Sequence, residues 1–178
     1  MGVRIILDST ANFRKELKDK FTIVPLSVNF GTESYLDGVE IDTDTFYRKL
    51  VTSDVMPTTS QPTPAAFAQA FEEAVNAGDD VVVITISSKL SGTYQSATIA
   101  AADFEGKVFV VDSLNATLGE RLLGEYALRL SKEGMSAKEA NNNFRQGNIE
   151  VNDVPLELNA GLNLTRFETK IMKENLNG

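Results

Sequence analysis

Neither cysteine nor histidine occurs among these 178 residues. The first absence excludes disulfides, thiolate nucleophiles and cysteine-based zinc sites. The second removes the Ser-His-Asp triad, HExxH-type metal sites and the usual neutral-pH general base. Positive charge is scarce: 17 Lys and Arg stand against 25 Asp and Glu, a net charge of −8 that argues against nucleic acid or an anionic membrane surface as partner. Long apolar runs are missing too. The longest, Val81–Ile86, is strand-sized and broken by Thr85, where a spanning helix needs about 20 apolar residues. No charged-then-apolar leader precedes Val3–Leu7, so a cytoplasmic protein is expected and the sequons at Asn115 and Asn163 read as chance matches. GxxxxGK[ST], GxGxxG and GxSxG are all absent, and no residue reads as an activated nucleophile or calls for a cofactor.

What is present alternates between apolar periods of two and about 3.6, the succession of strands and helices that marks an α/β chain. Length predicts about one domain with an appendage. Strands are predicted at Val3–Leu7, Ile23–Phe30, Val81–Ile86 and Lys107–Val111. Helices are expected after Ser9 or Thr10 (with Phe13 and Leu17 on one face), from Asp42 or Thr43, and from the Thr63-Pro64 cap with Phe67, Ala70, Phe71, Ala74 and Val75 as its stripe. Further helices run from Ser91-Gly92-Thr93 to about Ala102, through Leu118–Leu130, and from a Ser136-x-x-Glu139 capping box. Gly31 to Gly38 and Met56–Pro64, with three prolines in the latter, read as loops. Asparagine appears four times in the first 140 residues and nine times in the last 38, which places a boundary near residue 145.

Three polar segments, Asp8-Ser9-Thr10, Ser87–Thr93 and Asp112-Ser113, fall at strand C-termini, and Thr58-Thr59-Ser60-Gln61 precedes a helix. In an open parallel sheet the strand ends share one edge, where ligands bind. Hydroxyls and helix N-termini there suit a carboxylate or phosphate, although each such residue also reads as an ordinary helix cap. Asp8 and Asp112 offer an alternative, a magnesium site for a small phosphoryl-transfer enzyme; a folded remnant without ligand is the third reading.

Asp8-Ser9-Thr10, Val24-Pro25-Leu26-Ser27-Val28, Pro57-Thr58-Thr59-Ser60-Gln61-Pro62, Ser87-Ser88-Lys89-Leu90-Ser91-Gly92-Thr93-Tyr94-Gln95-Ser96 and Val111-Asp112-Ser113 together resemble the DegV family over roughly residues 1–140. The resemblance implies a mostly parallel sheet with helices on both faces, in a two-domain fatty-acid-binding protein. Such a protein is not an enzyme; it serves as the binding subunit of a fatty acid kinase and presents the carboxylate of a long-chain fatty acid to a separate ATP-using subunit. By that resemblance the head group falls to Thr59 and Ser91, with Ser60, Gly92 and Thr93 beside them. Family members continue into a second domain that opens with a glycine-glycine-arginine segment and brings a histidine near the head group; neither feature occurs here. The expected division is therefore an N-terminal α/β domain over 1–147 and a divergent, Asn-rich remnant of the second domain over 148–178. An open apolar half-site would favour self-association.

Overall fold

Hydrophobic strands buried on both faces need helices above and below, and the computed structural model places them so. It describes residues 2–12, 17 and 19–145. Strands β1 (Val3–Asp8), β2 (Thr22–Val24), β6 (Asp80–Thr85) and β7 (Val108–Asp112) form one all-parallel sheet in the order β2-β1-β6-β7. Strands β3 (Ser27–Phe30), β4 (Glu33–Leu36) and β5 (Thr58–Ser60) form a second, antiparallel sheet in the order β4-β3-β5.

Alternation along the central strands divides the core in two. Ile5, Leu7, Val82, Ile84 and Val111 face Leu122, Leu123 and Ala127 of α4 (Leu118–Lys132) and Ala137, Ala140 and Phe144 of α5 (Ala137–Arg145). Ile6, Val24, Val81, Val83 and Val108 face Phe67, Ala70, Phe71 and Ala74 of α2 (Pro64–Asn76) and Ala97 and Ala100 of α3 (Thr93–Ala101). Helices thus cover both faces, as expected. Among the described residues one further helix, α1 (Thr43–Thr52), buries no residue fully; Phe46 packs against a small separate core of Val28, Phe30 and Ile41.

The local signals behave as their chemistry dictates. The Asp42 carboxylate accepts the Thr45 N–H at α1, the Thr63 hydroxyl accepts the Ala66 N–H with Pro64 in the first turn of α2, and Ser136 and Glu139 exchange reciprocal bonds at α5. Gly78 and Gly134 follow their helices at positive φ, 88° and 98°.

Three expectations change. The single strand expected over Ile23–Phe30 is two: the chain leaves the parallel sheet after Val24, crosses at Pro25-Leu26 and enters the antiparallel sheet at Ser27. Proline has no N–H to give a ladder, so the break falls there. The loops expected around Gly31–Gly38 and Met56–Pro64 each contain a strand, β4 and β5. Finally, Ser9 and Thr10 lie in a 3-10 turn, Ser9–Ala11, whose cap is Asp8. Most of the helix expected next, Phe13 included, lies outside the described residues, as does all of 148–178.

Candidate ligand-binding site

Parallel strands β1, β6 and β7 end on one edge at Asp8, Thr85 and Asp112, and the loops leaving them are stitched together there. The Asp8 carboxylate accepts the Ile86 N–H at 2.8 Å, tying the end of β1 to that of β6. Ser113 N–H donates to the Thr85 carbonyl (3.2 Å), Ser87 N–H to the Asn115 carbonyl (2.8 Å), and Ser88 N–H to the Asp112 carboxylate (3.0 Å). The Ser9 hydroxyl accepts the Leu26 N–H (3.1 Å), which seats the crossing between the two sheets on the same edge.

Ser91, Gly92 and Thr93 form one turn at the start of α3. The Ser91 and Thr93 hydroxyls lie 2.9 Å apart, and Thr93 N–H donates to the Ser91 hydroxyl at 3.3 Å. Thr93 is fully buried and Ser91 half-buried. Gly92 is the N-cap of α3 and offers no side-chain cap, so the first N–H groups of that helix depend on Ser91 or on an incoming acceptor.

Thr59 and Ser60 lie on exposed β5, where Thr59 pairs with Val28 and the Ser60 hydroxyl accepts the Asn29 amide (3.0 Å). Among the described residues, no hydrogen bond runs directly from Thr59 or Ser60 to the Ser91–Thr93 turn. The residue that spans them is Gln61. Its Nε2 donates to the Ser96 hydroxyl on α3 at 2.9 Å, and its carboxamide lies against Gly92 so closely that a β-carbon there would collide with it. Sequence reasoning missed this role, although the absent side chain at Gly92 was its visible half.

Asp8 and Asp112 act as turn caps. Asp8 Oδ1 accepts from Thr10 N–H (3.0 Å) and the Thr10 hydroxyl (2.6 Å), while Asp112 Oδ1 accepts from Ser88 and Leu114 N–H. Among the described residues no three acidic side chains cluster.

Behind this edge lies a group that sequence reasoning did not find. The Thr10 hydroxyl is also 2.7 Å from Glu120 Oε2, and both Asp8 and Glu120 are fully buried. One hydroxyl carries one proton. Asp8 already receives two N–H donors and takes that proton as well, so Glu120 supplies its own to Thr10 and is the neutral partner. Burial, and then the Asp8 charge, push the Glu120 carboxyl up to about 9. Burial also raises Asp8, against the lowering pull of its bonds to Thr10 and Ile86. With Thr10 and Glu120 lying 110 positions apart, no local pattern announces the pair.

A doubly covered parallel sheet with hydroxyl-bearing turns gathered at its strand ends defines an α/β domain of the open-sheet kind. Residues 2–148 match the model of a family whose description reads "Uncharacterised protein, DegV family", and the chain belongs to the DegV family. It is 40% identical over 140 residues to a DegV domain-containing protein of Clostridium perfringens, a match covering 77% of this chain and 50% of that protein. Among solved structures it is similar to a DegV family protein from Thermus thermophilus, described for its fatty acid binding, with a TM-score of 0.74 and 36% identity over 82% of this chain and 53% of that one. A stearic acid-binding protein from Eubacterium ventriosum follows at a TM-score of 0.72 and 34% identity, covering 82% and 52%. The chain spans about half the length of the curated relatives it matches. No helix of the described residues is long and apolar enough to cross a membrane.

Proposed function

We propose that this chain binds a long-chain fatty acid, with the carboxylate received by the Thr59, Ser60, Ser91, Gly92 and Thr93 turns, and hands it to a separate ATP-using kinase subunit in the cytoplasm. The observation that carries the reading is the Gln61–Ser96 bond, which joins the turn after β5 to the first turn of α3. Two hydroxyl-bearing segments are thereby tied together beside the first turn of α3, whose N-cap, Gly92, has no side chain to cap it. Two related structures in which fatty acid binding is described lend it support.

The chemistry suits a carboxylate that must react later. Thr58–Gln61 and Ser91–Thr93 contain no Arg or Lys, so the donors are hydroxyls and amides. Hydrogen bonds to an ionised acceptor contribute roughly 1.5–3 kcal/mol each, enough for two or three to hold the head group. Neither segment offers a guanidinium to fork both oxygens, so donors from these turns leave one oxygen available for phosphoryl transfer. The chain itself supplies no catalytic group in this scheme. Residues 1–147 act as the head-group domain, and an acyl chain leaving the rim meets apolar surface that a further domain or a second copy of the chain covers.

The test is lipid extraction and mass spectrometry of the purified chain beside its Thr59→Ala/Ser91→Ala double variant. The expected outcome is co-purifying C16–C18 acid from the first and at least a tenfold loss from the second. Equal retention by both would remove the reading.

A further inference from the structure

We propose that Gln61 is a positioning residue of the carboxylate site: its side chain clasps the first turn of α3 and so sets the separation between the Thr59–Ser60 and Ser91–Thr93 hydroxyls. This rests on the fatty-acid reading above and deepens it. The two hydroxyl pairs belong to different hydrogen-bonded layers, since β5 is part of the antiparallel sheet while α3 packs on the parallel one. Strand β5 is exposed along its length and, among the described residues, pairs with β3 alone. Something must fix it against α3 if hydroxyls from both are to meet one head group.

Gln61 does this through two contacts. Its Nε2 reaches the hydroxyl of Ser96, a residue only 2% exposed, whose own N–H closes the first turn of α3 on the Gly92 carbonyl. The rest of the carboxamide lies against Gly92, where an added β-carbon would push the end of the Gln61 side chain aside. Buried Pro62 follows immediately and restricts the backbone next to the clasp. The residue type fits the task. A carboxamide donates to Ser96 while remaining neutral beside an anion, whereas glutamate has no donor when ionised and would repel the ligand.

Stearate and octadecanol, equal in chain length and different in head group, separate positioning from bulk packing. Both are titrated into the purified 178-residue chain, Gln61→Ala, Gly92→Ala, Gln61→Glu and the Thr59→Ala/Ser91→Ala double variant, with circular dichroism as the folding control. Gln61→Ala and Gly92→Ala should each weaken stearate by about tenfold and leave octadecanol unchanged, and Gln61→Glu should weaken stearate further. A Gln61→Ala chain that keeps the wild-type acid-to-alcohol ratio, or loses both ligands equally, overturns the clasp while the double variant still tests the site. If the double variant keeps that ratio, or the unmodified chain retains no stearate, the underlying reading falls and the clasp with it.

Discussion

Replacing Glu120 by glutamine removes a buried proton while keeping a donor toward Thr10. In the folded chain the carboxyl is pushed up to about 9 by burial and by Asp8, against an ordinary 4.5. Folded protein therefore holds this proton over a range where unfolded chain has released it, so stability falls as pH rises from 4.5 to about 9 and levels off beyond. At about 1.4 kcal/mol per pH unit, the 2.5 units up to neutrality cost about 3 kcal/mol, and the full span about 6 kcal/mol. Glutamine cannot ionise, and its amide can donate to the Thr10 hydroxyl in place of the acid proton. Urea unfolding of both proteins at pH 5, 7 and 9 measures the difference. Glu120→Gln should lie near wild type at pH 5 and exceed it by about 3 kcal/mol at pH 7, with a wider margin at pH 9. Stability curves that run parallel from pH 5 to 9 would refute the neutral-acid assignment and the proton count behind it.

Two further substitutions test the packing. Phe71→Ala removes a fully buried ring that touches both Phe67 and Phe104, and should cost about 3–5 kcal/mol in the same denaturant assay; a loss under 1 kcal/mol would mean this face of the core collapses freely. At Gly124 a β-carbon would sit 2.6 Å from the Leu7 side chain, which is fully buried. Overpacking of about 1–3 kcal/mol outweighs the gain of about 1 kcal/mol in helix propensity, so Gly124→Ala should lower the unfolding midpoint.

Those strands and helices whose signals are local were legible. Val81–Ile86 announced β6 because a β-branched run needs burial on both faces, and Thr63-Pro64 announced α2 because a hydroxyl cap and a first-turn proline meet the same orphan N–H groups. Glu33–Leu36 and Thr58–Ser60 gave no warning. Both lie at the edges of their sheet, mostly exposed, and their pairing is a property of backbone groups that side-chain patterns do not report. Ile23–Phe30 misled for the opposite reason: its alternation is continuous, while Pro25 moves the chain to another sheet partway along. At the candidate site, the Ser91–Thr93 turn could be read from adjacent letters. Gln61 on Ser96, 35 positions away, and Glu120 on Thr10 could not.

The crossing at Pro25-Leu26 has a mechanical consequence. Leu26 sends its N–H to Ser9 on the large sheet and offers its carbonyl to Asp37 beyond the small one, so it is a one-residue axle between two separately cored layers. Packing errors in Val28, Phe30 or Ile41 would shift the Thr59 side of the crevice and strain the Gln61–Ser96 bond that ties it to the Ser91 side. Grip on a ligand there would then depend on residues that never touch it.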